Sequence, residues 1–211
     1  MEKQEIRTFG RRHGKKLSAR KARLMENLLP SLYPSGAADI LEIGFGAGEH
    51  LRALATQHPD KIILGAEPFA NGVAALLSAI CDESDVVLPE YKNIRIFPDD
   101  VRLILNKNKF AFSEIWVLHP DPWPKARHEK RRLLNAEFLN LLSRHLGARG
   151  KIIIGTDHWE YYDWITEQIK QTHLEQDYTE IDIIKTRYQQ KNMAGTTEPK
   201  YMVLKLSNAN Q

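Results

Sequence analysis

The sequence predicts an α/β fold of the doubly wound type, in which helices cover both faces of a mainly parallel sheet. From residue 39 onward, short apolar runs rich in β-branched residues alternate with longer stretches of helical spacing, which is the pattern of such a fold. The runs are apolar at nearly every position, as is typical of strands buried on both faces of a sheet. A glycine-rich loop follows the first run, at the edge where sheets of this type bind their ligands.

Each predicted element follows from its own pattern. A short helix over 22–32 ends at a Pro-Ser-Gly turn. The first strand, 39–45, leads into a helix over 48–58 that keeps Leu51, Leu54 and Ala55 on one face. The same alternation predicts further strands over 61–67, 93–97, 114–119 and 151–156, and further helices over 70–81, 101–106, 131–146 and 158–173.

The end of the chain breaks the alternation. Strands are predicted over 181–185 and 201–206, joined by a loop with no helical pattern. A loop connection indicates an antiparallel strand, which we expect at the edge of the sheet. Seven strands with one antiparallel member, and helices on both faces, are the architecture of the Rossmann-like class I methyltransferases, although a fold alone does not settle a function.

Length and composition restrict the class of protein. The chain has 211 residues and a mass of 24.3 kDa, the size of one domain. No apolar run is long enough to cross a membrane and the charged N-terminus is unlike a secretory signal, so we expect a cytoplasmic protein with no membrane partner. The single cysteine, Cys81, excludes an intramolecular disulfide, and the histidines show no metal-ligand spacing, so no metal is expected.

Charge is distributed unevenly along the chain. Residues 1–23 contain nine Lys/Arg against two Glu, and residues 125–132 contain five basic residues against one Glu, so the remainder carries a net charge of −8 although the total is +3. We interpret residues 1–23 as a basic arm with the composition of a flexible segment, and residues 24–207 as a single domain. Two basic patches on an acidic body indicate a polyanionic partner such as nucleic acid.

The glycine loop, with Gly44, Gly46 and Gly48, departs from the dinucleotide fingerprint. Its third glycine comes one position early, and Glu49 stands where the fingerprint has glycine. A carboxylate at a helix N-terminus repels a diphosphate, which disfavours a nicotinamide-dependent oxidoreductase. S-adenosylmethionine fits this loop better, because it carries a sulfonium, an amino-acid end and a ribose but no phosphate.

Carboxylates lie at three successive predicted strand ends. Glu67 ends the second strand and can accept hydrogen bonds from both hydroxyls of a ribose. Asp100 follows the third strand and can reach an adenine amino group, whereas Glu42, just before the glycines, can face the ammonium of a cofactor. For each acid alone a helix cap or a surface charge is the alternative, but their recurrence at strand ends favours a cofactor site.

A rigid loop follows the fourth predicted strand. It contains three prolines in the seven residues 119–125, which restrict its backbone strongly. Asp121 supplies a carboxylate and Trp123 a stacking plane, and the basic stretch begins at Lys125. Basic side chains beside an aromatic ring suit a splayed-out base whose phosphates are held nearby.

Residues 120–138, PDPWPKARHEKRRLLNAEF, resemble the hallmark of the bacterial tRNA (guanine-N7-)-methyltransferases. Five further segments are similar to that family's other motifs: IRTFGRRHG, LEIGFGAGEHL, NIRIFPDDV, GTD and TRYQ. The resemblance therefore runs from about residue 6 to residue 205. The resemblance implies a methyltransferase that uses S-adenosylmethionine to form 7-methylguanosine in the variable loop of tRNA.

The resemblance also implies roles for individual residues. Asp121 matches the proposed catalytic residue of the family and, with Glu42, Glu67 and Asp100, its cofactor-binding positions. The substrate-binding positions are matched by Lys125, Asp157, Thr186, Arg187, Tyr188 and Gln189, and the RNA-contacting stretch by Arg127, His128, Lys130, Arg131 and Arg132. One departure is Gln189, which stands where the family usually has glutamate.

The same residues are compatible with two other functions. Asp121-Pro122-Trp123 resembles the D/N-P-P-aromatic motif of enzymes that methylate exocyclic amines such as N6 of adenine, although its second proline is missing. The second alternative is a tRNA-binding protein that catalyses no reaction, which the retained cofactor carboxylates disfavour. The sequence is compatible with a monomer and with a homodimer.

Overall fold

The computed structural model describes residues 8–180, Ile183 and residues 198–207. Within these residues, strands and helices alternate as the sequence predicts. The strands are β1 (Ile40–Ile43), β2 (Ile63–Ala66), β3 (Ile94–Phe97), β4 (Phe112–Leu118), β5 (Leu146–Thr156), β6 (Leu174–Asp177) and β7 (Lys200–Leu206). The helices are α1 (Ala19–Asn27), α2 (Glu49–Gln57), α3 (Ala70–Ile80), α4 (Val101–Leu105), α5 (Ala136–Ser143) and α6 (Trp159–Ile169), with short 3₁₀ turns at Leu29–Leu32, Pro89–Tyr91 and Ala126–Arg131.

The strands form one seven-stranded sheet in the order β3-β2-β1-β4-β5-β7-β6. Strands β1 to β5 pair in parallel, and β7 is antiparallel to both of its neighbours. The prediction that the antiparallel strand lies at the edge is therefore wrong, because β7 inserts between β5 and β6 and leaves β6 outermost. The direction of winding reverses between β1 and β4, which is where sheets of this type form a crevice.

Two predicted elements end elsewhere than the sequence pattern suggests. The predicted helix over 131–146 is only α5, because Asn135 caps its start by accepting a hydrogen bond from Phe138 N, and the chain enters β5 at Leu146. The predicted helix over 158–173 ends at Ile169, and strand β6, which the sequence pattern does not predict, follows at Leu174–Asp177. Of the strand predicted over 181–185, only Ile183 belongs to the described residues. An edge strand buries little of its surface, so its polar sequence lacks the continuous apolar run used to find the inner strands.

The core consists of two apolar layers, one on each face of the sheet. Because successive side chains in a strand point to opposite faces, Leu41 and Ile43 pack towards α4, α5 and α6, whereas Ile40 packs towards α1, α2 and α3. Glu42 shares the second of these faces with Trp116 of β4. Among the described residues, no helix has the length and hydropathy needed to cross a bilayer.

Candidate functional site

A cavity of about 330 Å³ opens at the carboxyl ends of the central strands, in the crevice where the strand order reverses. Its volume lies in the range of small-molecule sites. Strand ends, the loop after β4 and the N-terminal arm all contribute to it. The lining residues are Thr8, Phe9, Gly10, Arg11, Ile43, Gly44, Ala66, Glu67, Pro68, Asp100, Val101, Arg102, Val117, Leu118, His119, Pro120, Asp121, Trp123, Lys130, Arg131, Arg132, Leu133 and Asn135.

The glycine loop between β1 and α2 takes a backbone conformation that side chains disfavour. Gly44, Gly46 and Gly48 have φ angles of +74°, +55° and +77°, in the left-handed region that glycine adopts without strain. Helix α3 packs directly on this loop, since a Cβ atom added at Gly72 would lie 2.5 Å from the carbonyl oxygen of Gly46. Of the three glycines, Gly44 lines the cavity, whereas Gly46 and Gly48 lie behind it.

Glu67, after β2, holds the glycine loop from the cavity side. Its Oε2 accepts a hydrogen bond from Gly46 N and its Oε1 one from Phe69 N, each at 2.8 Å. Burial raises the pKa of Glu67, helped by the charges of Glu42 and Asp121 and opposed by the two backbone hydrogen bonds. Each carboxylate oxygen has a second lone pair, so Glu67 can still accept hydroxyl groups of a ligand.

Asp100 is the N-cap of α4, and its carboxylate accepts several hydrogen bonds from neighbouring residues. It accepts hydrogen bonds from the backbone N, Nε and Nη2 of Arg102 and from Thr8 Oγ1, at 2.6–3.0 Å. Burial raises the pKa of Asp100, but the hydrogen bonds and the charge of Arg102, with the hydrogen bond from Thr8, together lower it by a larger amount, so the net shift is downward. A carboxylate has about four acceptor positions; an adenine amino group would therefore reach Asp100 by replacing one of these donors.

Glu42 lies behind the glycine loop, outside the cavity lining. It is buried on the α2 face of the sheet, and its Oε2 lies 3.1 Å from Nδ1 of His50. The ring of His50 packs against Trp116, with centroids 4.7 Å apart. The structure thus places Glu42 where it affects the cavity through its charge and through the loop rather than by direct contact.

The loop after β4 carries Asp121 into the cavity. His119 and Trp123 have positive φ angles of +50° and +43°, so the loop turns sharply before Pro120 and again before Pro124. Oδ2 of Asp121 lies 3.6 Å from the position that a Cβ on Gly10 would occupy, which places the arm backbone beside this carboxylate. Burial lowers the pKa of His119, and the charge of Asp157, whose Oδ1 is 4.0 Å from His119 Nδ1, opposes that shift.

Arg132 lies inside the protein, in contrast to its predicted RNA contact. Its side chain is only 4% exposed, and its Nε donates a hydrogen bond of 3.0 Å to the carbonyl oxygen of Pro122. Its guanidinium carbon lies 5.1 Å and 5.6 Å from the ring centroids of Trp164 and Tyr161. A guanidinium this buried joins the loop after β4 to α6, and the RNA contact of Arg132 stays a prediction.

The rest of the basic stretch is accessible. Lys125, Arg127 and Lys130 are exposed, and His128 and Arg131 are half-buried. The guanidinium carbon of Arg131 lies 5.0 Å from the ring centroid of Trp123. His128 meets the same ring edge-on at a centroid distance of 5.7 Å. These side chains form one surface beside Asp121.

The described part of the arm lies against the body of the protein. Arg12 Nη2 forms an ion pair of 2.6 Å with Asp99, and its carbonyl accepts a hydrogen bond from Ala70 N at the start of α3. Asn71 accepts a hydrogen bond from Gly14 N. The sequence carries no local signal for the cavity positions of Thr8 and Phe9, since long-range contacts of an arm have no periodic pattern.

Some predicted site residues lie apart from this description. Asp157 follows β5 near His119 and is not in the cavity lining. Thr186, Arg187, Tyr188 and Gln189 lie outside the described residues, so their predicted substrate role stays a prediction. In the part of the chain that is described, no group of His, Cys, Asp and Glu side chains has a geometry suited to a metal ion.

Comparison with known proteins gives both a family and a fold. A family model described as "Putative methyltransferase" matches residues 37–203. A protein of Neorickettsia sennetsu named tRNA (guanine-N(7)-)-methyltransferase is 37% identical, with 90% of this chain and 86% of that protein aligned. A protein of Caulobacter vibrioides with the same name is 31% identical, with 93% of each chain aligned.

Solved structures with the same fold are more distant in sequence. The 16S rRNA methyltransferase KamB superposes with a TM-score of 0.54 at 15% identity, over 93% of this chain and 99% of that one. Precorrin-6y C5,15-methyltransferase from Geobacter metallireducens gives a TM-score of 0.54 at 14% identity, over 92% of each chain. These similarities confirm the predicted Rossmann-like methyltransferase fold.

Proposed function

The chain belongs to the methyltransferase family whose curated bacterial members are named tRNA (guanine-N(7)-)-methyltransferase, and on that premise we propose that it methylates N7 of a guanosine in the variable loop of tRNA. The methyl donor is S-adenosylmethionine. One observation carries the assignment to this site: a single cavity joins the glycine loop and Glu67 to Asp121 and the basic surface after β4. Because the substrate is tRNA, the compartment we propose is the cytoplasm.

The residues around the cavity fit S-adenosylmethionine, which supplies an electrophilic methyl group on a sulfonium when bound. The left-handed glycines let the loop backbone approach a ligand. Glu67 retains lone pairs for the ribose hydroxyls, and burial raises its pKa, with smaller contributions from the charges of Glu42 and Asp121. Glu49, in the first turn of α2, gives the loop a negative charge that suits a cation better than a diphosphate.

The chemistry at guanine requires positioning more than proton transfer. N7 carries a lone pair and no proton, so its attack on the methyl carbon needs no general base. The bond to sulfur breaks with its electron pair going to sulfur, and the purine becomes positively charged. Asp121 then serves in two ways: it accepts hydrogen bonds from N1–H and the amino group of guanine, and it stabilises the developing charge.

The exposed part of the basic stretch serves to hold the backbone of the tRNA. Lys125, Arg127 and Lys130 lie on the same loop as Asp121, so phosphates bound there flank the target base. Contacts of this kind release counterions from the nucleic acid, and affinity should therefore fall steeply with salt. Asp157, beside His119, would contribute to recognition of the base.

Methyl transfer to an unmodified tRNA transcript tests the proposal. The expected product is 7-methylguanosine, located by mass mapping of nuclease fragments, and a transcript with the variable-loop guanosine replaced should not be methylated. Methylation on an exocyclic amine would instead identify an enzyme of the alternative class. Tight tRNA binding without methyl transfer would identify a non-catalytic tRNA-binding protein.

A further inference from the structure

Two aromatic rings at the cavity contact one planar cation. The guanidinium carbon of Arg131 lies 5.7 Å from the ring centroid of Phe9, in the arm, and 5.0 Å from that of Trp123, in the loop after β4. All three side chains line the cavity with Asp121. No residue in the described ranges offers a hydrogen-bond partner to the buried Nε of Arg131. The rings are therefore the contacts that the structure shows for this guanidinium.

A pair of rings that holds a planar cation suits the product of methylation at N7. Guanine is neutral, but transfer of a methyl group to N7 leaves its planar ring system positively charged. Aromatic faces attract cations, most strongly where water is excluded. An interaction that strengthens as charge develops favours the transition state over the ground state.

We propose that Phe9 and Trp123 form an aromatic clamp for the target guanine, and that the purine takes the position of the Arg131 guanidinium during the reaction. The clamp rests on the proposed function, and it adds Phe9 as a residue that contacts the substrate. Arg131, displaced from the rings, turns outward to a phosphate. Through Phe9, the arm thereby contacts the target guanine directly, in addition to contributing to the affinity for tRNA.

The position of Phe9 is fixed by its neighbours in the arm. Thr8 donates its hydroxyl to Asp100 at 2.7 Å, and Gly10 passes beside the carboxylate of Asp121. Arg12 pairs with Asp99 at 2.6 Å. These contacts place the ring of Phe9, which is 40% exposed, at the cavity rather than in the core.

Replacing Phe9 tests the clamp because its exposure makes the fold insensitive to the change. Phe9→Leu keeps an apolar side chain and loses the aromatic face, whereas Phe9→Tyr keeps the face. Tyr178→Leu is the matched control, since Tyr178 is 86% exposed and lies outside the cavity lining. We expect Phe9→Leu to slow methyl transfer at saturating tRNA and cofactor by about 3- to 30-fold. Phe9→Tyr should lose much less of the rate than Phe9→Leu, and Tyr178→Leu should remain near wild type.

A binding measurement without cofactor separates the clamp from the proposed function. At mildly acidic pH, where 7-methylguanosine is cationic, wild-type protein should bind tRNA carrying this nucleoside several-fold more tightly than unmodified tRNA. Phe9→Leu should lose the preference and Phe9→Tyr should keep it. The clamp would be overturned if Phe9→Leu bound both tRNAs more weakly by the same factor, or if it kept the wild-type preference for methylated tRNA. In either case, formation of 7-methylguanosine by the wild-type protein would still support the proposed function. Absence of that product from the wild-type reaction would overturn both.

Discussion

Replacing Arg132 with methionine should destabilise the fold without removing a contact to tRNA. The guanidinium makes a charge-assisted hydrogen bond to the carbonyl of Pro122 and contacts the rings of Tyr161 and Trp164. The first is worth about 1.5–3 kcal/mol, and cation–π contacts about 0.5–2 kcal/mol. Methionine retains much of the aliphatic packing and removes a buried charge, which offsets part of the loss. The expected net loss is about 2–3 kcal/mol of unfolding free energy.

Urea unfolding measures this loss directly, and a loss of that size should lower the melting temperature by about 4–12 °C in a domain of this length. Arg127→Met is the control, because Arg127 is exposed on the same basic stretch. The salt dependence of tRNA binding should separate the two variants. Arg127→Met should reduce the slope of log affinity against log salt by about 0.7–0.9, whereas Arg132→Met should leave the slope unchanged.

The opposite pair of results would refute the role assigned to Arg132. If Arg132→Met unfolded like wild type and lost salt slope as Arg127→Met does, its guanidinium would be a phosphate contact. If Arg132→Lys restored full stability, the charge alone would be sufficient and the planar contact with Tyr161 and Trp164 would contribute nothing.

Three further predictions concern the cavity. Asp121→Ala should abolish methyl transfer while the melting temperature stays near wild type, since this side chain is exposed; wild-type turnover would remove Asp121 from the mechanism. Cofactor affinity, measured by calorimetry, should fall as the pH drops through the pKa of Glu67, which is raised above the ordinary value of 4.5, because ribose binding needs the ionised carboxylate. Glu67→Gln should bind the cofactor weakly at every pH. An equally steep pH dependence in Glu67→Gln would show that another group controls the affinity. Gly72→Ala should cost about 1–3 kcal/mol of stability and weaken cofactor binding, because the new Cβ would lie 2.5 Å from Gly46 O. An unchanged affinity for the cofactor would show that the glycine loop moves freely.

The inner strands and the helices between them could be predicted because each carries its own local signal. Strands β1 to β4 are apolar runs bounded by polar residues, and the glycine loop marks the ligand edge of the sheet. Strand β6 could not be found in this way, since an outermost strand with one half-buried face has a mostly polar sequence. The insertion of β7 between β5 and β6 is set by pairing over a long separation, which leaves no periodic trace.

The cavity could be predicted only in part, for a similar reason. The positions of Glu67 and Asp121 are predictable because each residue follows a strand whose carboxyl end faces the ligand edge. Glu42 sits one residue before the end of β1 and points to the other face, where it meets His50. Arg132 looks like its basic neighbours in sequence, and only the packing of α6 shows that its guanidinium is buried. Phe9 reaches the cavity through contacts between distant parts of the chain.

The placement of β7 also determines the order in which the protein can be completed during synthesis. Among the described strands, β6 pairs only with β7, and β7 covers the edge of β5 that faces away from β4. Both strands leave the ribosome before their partner does, so a nascent chain carries an uncovered apolar edge at β5 until residues 200–206 emerge. Uncovered edges of this kind recruit other strands. We expect the sheet to be completed only after residues 200–206 have emerged, and chains shortened before residue 200 to aggregate.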